Sequence, residues 1–222
     1  MIVIATHEGY NFIEPMLNSL VDCSCNEKIV VVDTLSSKEY LKYLQINIKD
    51  KFKDIEISQT PYAGYDSGAW IYAYRNYIED HYIFLHDSMI IQDKSIIEKI
   101  INGISDNIVM SFVGFGNGGV GRNYDTKEDE MFVQKHCGTV EFKDGIFGPM
   151  FGVKRSVMEI LDRYNHLIIP SKKSEQRAME RLWPVVFNIH NIEIHSISRF
   201  NSSSYYNGEY GIFKKIHTYT DR

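Results

Sequence analysis

Apolar residues fall along this chain in short continuous runs that alternate with stretches of helical spacing. Ile2 to Thr6 is a first run, followed by Ile13, Met16, Leu17 and Leu20 on one helical face, with Gly9 and Asn11 as turn and cap before them. Ile29 to Val32 is a second run, β-branched throughout and closed by Asp33. Ser36 or Ser37 then caps a helix carrying Tyr40, Leu41 and Leu44, and Ile55 to Thr60 forms a third run that Pro61 ends. With Asp66 or Ser67 as cap, Trp70, Ala73, Tyr74, Tyr77 and Ile78 define the next helix face. Such alternation of strands and helices predicts a mostly parallel central sheet flanked by helices, an α/β fold.

The stretch from Tyr82 to Ile91 organises the rest. Its apolar residues read as a strand buried on both faces, interrupted by His86, Asp87 and Ser88 before apolar character resumes. In an open parallel sheet, ligands bind beyond the carboxyl ends of the strands, and a carboxylate placed there can hold a divalent cation. The same three residues also suit a simple turn or cap.

Downstream, Ile96, Ile97, Ile100 and Ile101 mark a helix and Ile108 to Phe115 a strand. Gly116, Gly118 and Gly121 match G-x-G-x-x-G by spacing, but no apolar helix start follows them, so a loop over a site is the better reading than a dinucleotide fingerprint. Gly148 to Arg155 is a short strand between glycines, with Ser156 as cap of a helix bearing Val157, Ile160 and Leu161. Another helix opens at Ser171, and Pro184 predicts its kink or end. Ile192 to Ile197 is the last strand, and the tail from Asn201 is a lid or a frayed terminus.

The 222 residues, 44% apolar, suffice for one sizeable core. A formal charge of -5 from interspersed signs, without a basic block, argues against a nucleic-acid partner. Cys23, Cys25 and Cys137 have neither zinc nor thioredoxin spacing and read as free thiols of a reducing compartment. The amino-terminal apolar run meets His7 and Glu8 too soon for a signal peptide or membrane span, so a cytoplasmic location, with peripheral membrane attachment left open, is expected.

In this order the features resemble the GT-A glycosyltransferases, particularly the compact family-2-like enzymes, over nearly the whole chain. Ile2 to His7 resembles their first strand, Ile29 to Asp33 the strand ending in a base-binding acid, and Gly64 to Trp70 their mid-domain glycine segment. His86-Asp87-Ser88 stands at their D-x-D motif, modified to a single carboxylate. Gly148 to Arg155 is similar to the acceptor-side strand, and Glu175 to Trp183 to the helix that bears the general base.

The resemblance implies a single GT-A-like domain. Residues 1–115 form its nucleotide-sugar half, 116–200 its acceptor half and 201–222 a tail or lid. It implies a hexosyltransferase that takes a nucleoside diphosphate sugar, with Mn²⁺ or Mg²⁺, and acts on a glycan or glycoconjugate acceptor. Asp33 would accept from the base, Thr6, His7 and Glu8 would lie beside the nucleotide, and Gly64, Asp66 and His86 would complete the donor site, with Arg75 a candidate for a phosphate. Asp87 is the expected metal ligand, helped by His195 or His217. Glu175, Glu180 and Asp144 are the candidate general bases; Glu175, four residues before Met179, falls on the inward face of its helix and is preferred. A sugar-phosphate nucleotidyltransferase or a non-catalytic sugar-binding domain are the competing readings. Thr6-His7-Glu8-Gly9 lacks the basic glycine-rich loop expected of the former.

Overall fold

The computed structural model describes residues 1–23, 26–62, 65–116 and 124–199, together with the backbone of 212–214. Parallel strands β1 (Ile2–Thr6), β2 (Ile29–Asp33), β3 (Glu56–Gln59) and β4 (His81–His86) stand in the order β3-β2-β1-β4. Their connections carry α1 (Ile13–Asp22), the helical stretch α2 (Lys38–Tyr43) to α3 (Lys49–Lys51), and α4 (Tyr65–Asn76). A π-helical turn, Leu44–Ile48, joins α2 to α3. Beyond a turn at Asp87 and Ser88 come β5 (Met89–Ile91), α5 (Ile96–Gly103), β6 (Ile108–Gly116), α6 (Lys127–Cys137), β7 (Asp144–Ile146) and β8 (Phe151–Lys154). Helices α7 (Arg155–Arg163) and α8 (Lys173–Ile189), then β9 (Glu193–Arg199) and β10 (Ile212–Lys214), complete the order.

The sheet changes direction at β4. Its outer neighbour β8 runs antiparallel, β6 lies antiparallel to β8 and β7, and β9 pairs parallel with β6. β10 pairs with β5 in a separate ribbon. This is the mixed, mostly parallel, helix-flanked architecture that the alternation of runs predicts.

Two cores follow from the period of two in the strands. Val3, Ala5, Tyr82 and Phe84 face α4 and α8, where Trp70, Trp183, Phe151 and Phe187 are fully buried. Ile2, Ile4, Ile83 and Leu85 face α1, α2 and α5. Each such side chain removed from water contributes about 1.5–3 kcal/mol before conformational entropy is counted.

Some local expectations give way to this packing. α8 runs through Pro184 without ending, because Leu182, Trp183, Val185, Val186 and Phe187 are all buried around it. Their burial outweighs the roughly 3 kcal/mol that a helix-interior proline costs. Ile78 lies past the end of α4 and is 86% exposed, so the helical spacing does not extend to it. Ser156 lies inside α7 and donates to Asp106, with Lys154 at the cap. Ser37, as expected, caps α2 by accepting from the Tyr40 amide. Among the described residues, no helix is long and apolar enough to cross a membrane.

Candidate functional site

The carboxyl ends of the parallel strands are stitched into one rim. Thr34 donates its amide and hydroxyl to the Thr6 carbonyl, the Asp87 amide bonds the Ala5 carbonyl, and the Thr60 amide bonds the Asp33 carbonyl. Glu8 and Leu35, on the loops leaving β1 and β2, have φ of 52° and 59°, a left-handed conformation that side chains resist. Strain of this kind persists where surrounding contacts over-determine it. Here Glu8 donates its amide to Ser36 Oγ and takes the Ser37 amide on its carboxylate.

Asp33 closes β2 and is fully buried. Its Oδ2 accepts from Gln59 Nε2 at 2.8 Å and the Ser36 amide at 3.2 Å, whereas Oδ1, equally buried, has no hydrogen-bond partner among the described residues. A carboxylate oxygen taken out of water without a donor is costly, and a ligand N–H would relieve it. Beside it, His7 is exposed and directs Nδ1 at the Thr34 carbonyl, 3.0 Å away. A carbonyl only accepts, so Nδ1 carries the proton.

His86, the last residue of β4, turns to Trp70 and Asp66 of α4, whereas Asp87, in the turn that follows, turns to the other side, toward Thr6 and Tyr40. Asp87, 8% exposed, accepts the Thr6 hydroxyl on Oδ2 at 2.7 Å. With that proton committed, the contact of 2.6 Å between Thr6 and Tyr40 has the Tyr40 hydroxyl donating. Burial, with the Asp87 and Asp33 carboxylates nearby, pushes the Tyr40 phenol far above its ordinary range, so it stays protonated as this chain requires. Gly9 passes so close that a Cβ there would lie 2.1 Å from Asp87 Oδ2.

On the other face, His86 Nε2 lies 3.4 Å from Asp66 Oδ2, and its ring packs against Trp70. Asp66 sits in the first turn of α4, its carboxylate turned to His86 and to Gln176 Nε2 of α8 at 3.3 Å. Gly148, with φ of 58°, stands between His86 and α8. A Cβ on it would come 3.9 Å from His86 Cε1, and its amide donates to Glu180 Oε1 at 3.2 Å. Arg181 holds the other Glu180 oxygen at 2.6 Å and reaches Asp125 at 3.0 Å. Trp70 Nε1 and Gln176 Oε1 are buried and have no hydrogen-bond partner among the described residues.

Asp66, His86 and Glu180 are thus brought together, with Asp33 and the Thr6, His7, Glu8 loop along the same rim. Other expected residues are not. Glu175 takes the Ser171 amide and hydroxyl at 2.7 and 2.8 Å, because a carboxylate in a helix's first turn is drawn to the unpaired donors just before it, whatever its angle on the helical wheel. It faces a cleft shared with Glu128, Lys135 and Lys172. Asp144 opens β7 opposite Gly116 and lines a cleft of about 370 Å³ together with His195. His195 is exposed, paired with Glu193 at 2.9 Å, and three strand spacings from β4, roughly 14 Å. Arg75 reaches Tyr62 and Asp162 at the surface. Gly64 and His217, like Gly118 and Gly121, lie outside the described residues.

Gln176 and Trp70 are members of the site that sequence reasoning missed in this role. The Gln176 to Asp66 contact spans 110 residues, and no local pattern announces it.

The resemblance implies a divalent cation. Among the described residues, no three His, Cys, Asp or Glu side chains gather as a metal centre. The strand end offers one carboxylate, that of Asp87, turned to the far face and bound by Thr6; Ser88 is buried, and His195 is too distant to help. The described donor set does not fit a cation held by the protein.

No protein-family model matches this sequence, and no curated protein matches it. The fold does find counterparts. GalNAc-T7, crystallised with UDP, GalNAc and Mn²⁺, superposes with a TM-score of 0.53 at 17% identity over 82% of this chain. The match spans about 40% of the GalNAc-T7 chain. A nucleotidyl transferase from Methanothermobacter gives 0.54 at 8% identity, over 89% of this chain and 85% of that one. At such identities the likeness concerns the fold alone: the chain has a GT-A-like fold, a mixed sheet of mostly parallel strands between helices.

Proposed function

We propose that this chain is a glycosyltransferase that moves a hexose from a nucleoside diphosphate sugar to a glycan or related acceptor. The observation that carries this reading is Asp33: a fully buried carboxylate at the rim of the parallel strands, one oxygen fixed by Gln59 and Ser36, the other without a donor. A nucleobase N–H meets that need. The unpartnered Trp70 N–H and Gln176 oxygen, one donor and one acceptor beside Asp66 and His86, suit sugar hydroxyls, which both give and take hydrogen bonds.

In an inverting course, the acceptor oxygen attacks the anomeric carbon as its bond to the β-phosphate oxygen breaks. The bonding pair leaves with the diphosphate, and a carboxylate takes the acceptor proton. Glu180 is that base in this reading, held by Gly148 and Arg181 next to His86. Glu175 and Asp144 are spoken for elsewhere. The Methanothermobacter likeness supports a second reading, transfer of a nucleotidyl group, which releases pyrophosphate from a nucleoside triphosphate.

Turnover separates the readings. Nucleotide sugars with glycan acceptors should release nucleoside diphosphate, and Glu180→Gln should slow this by about 10²–10⁴-fold while the protein still binds the donor. Pyrophosphate release from a triphosphate and sugar phosphate would establish the second reading instead. Binding without turnover in the unaltered protein would leave a sugar-binding domain. Asp33→Asn should weaken nucleotide binding by about tenfold or more.

A further inference from the structure

A diphosphate leaving group carries growing negative charge, and a transferase must meet it with a cation or with hydrogen-bond donors. Mg²⁺ in such sites is held by one or two carboxylates together with the phosphates. The residues at the end of β4 are poorly made for that. Asp87 is 8% exposed on the face opposite His86; its Oδ2 takes the Thr6 hydroxyl at 2.7 Å, and Thr6 in turn takes that of Tyr40. The carboxylate is pressed against Gly9, where even a Cβ would collide. These contacts make Asp87 a brace between β1, β4 and α2. Ser88 is 3% exposed and brings no charge.

The group at the strand end that does face Asp66, Gly148 and Trp70 is an imidazole. Nitrogen suits hard oxygen-seeking cations less well than carboxylate does. Asp66, 3.4 Å from His86 Nε2 and bonded by Gln176, orients that ring. We propose that the chain binds the diphosphate of its donor without a divalent cation, His86, oriented by Asp66, donating to the phosphates where a metal-binding carboxylate would otherwise stand. This rests on the nucleotide-sugar reading above. During transfer the bonding pair stays on the β-phosphate oxygen, and His86 stabilises it by hydrogen bonding while the acceptor proton goes to Glu180.

The test is calorimetric titration of the full chain with UDP, GDP, CDP and dTDP, each with Mn²⁺ and again with excess EDTA. A diphosphate should bind with the same Kd in both, within about threefold. His86→Gln should weaken that binding about tenfold in both buffers. Asp87→Ala, which removes the acceptor of the brace, should lower Tm and leave Kd unchanged. Binding that falls more than about tenfold in EDTA overturns the proposal. So does an Asp87→Ala protein of unaltered Tm that has lost its affinity, because Asp87 would then be a ligand. If no diphosphate binds in either buffer, the nucleotide-sugar reading itself fails and this proposal with it, a result distinct from metal-dependent binding.

Discussion

Gly9 shows how much one missing carbon governs at this rim. A Cβ there would stand 2.1 Å from Asp87 Oδ2 and 2.8 Å from Thr6 Oγ1, and neither atom can yield without breaking the hydrogen bond that joins them. Gly9→Ala should therefore lower stability by about 1–3 kcal/mol, measured by denaturant unfolding, more than an exposed turn position would show. In the sequence Gly9 reads only as a turn residue, because the carboxylate it accommodates is far along the chain. Trp70 and Gln176 were likewise not legible, because their partners come from other elements. Asp33, Asp66 and His86 could be named beforehand because each ends a strand or opens a helix, where polar residues interrupt an apolar pattern. Glu175 turns to Ser171 for a physical reason: a wheel gives a side chain's direction, whereas the unpaired donors before a helix decide where a first-turn carboxylate goes.

Among the elements, α8 bears most on the site, since it carries Gln176 and Glu180, and its outer face is tied to α6. Arg177 grips the buried Asp129 at 2.8 Å, and Asp129 with Thr126 forms the capping box that starts α6. Thr126→Ala removes the side-chain acceptor for the Asp129 amide and for Arg177 Nη2. It should cost about 1 kcal/mol in thermal or chemical unfolding. The order of elements was legible because buried strands here are continuous apolar runs and the helices keep their period. Strand direction in the second half was not, since pairing between β4 and β8, or β6 and β9, depends on contacts that no local run encodes. The passage of α8 through Pro184 escaped for the same reason: the local rule is outweighed by what the helix buries.

For the molecule as a whole, acid should be destabilising through a pair of imidazoles away from the site. His166 Nδ1 and His190 Nε2 are 2.9 Å apart, a contact that requires one of the two rings to accept. Burial depresses both pKa values below 6.5, with His166 adding to the effect on His190. Below about pH 6.5 the unfolded chain takes up protons that the folded pair refuses, so stability present at neutral pH is lost as pH falls. Melting scans should show this decline, and His190→Gln should flatten it. A further consequence lies in the seam where the sheet reverses. β4 has β1 from the amino-terminal half on one side and β8 from the carboxyl-terminal half on the other, and β6 straddles the boundary between residues 115 and 116. Cutting there would leave β4 and β6 in one piece without the strand β8 that joins them, and β7, β8 and β9, which pair only with β4 and β6, in the other with no sheet of their own, so both pieces would carry apolar backbone edges ready to pair with any other strand. Separately produced halves would be expected to clump, and to become soluble only when made together.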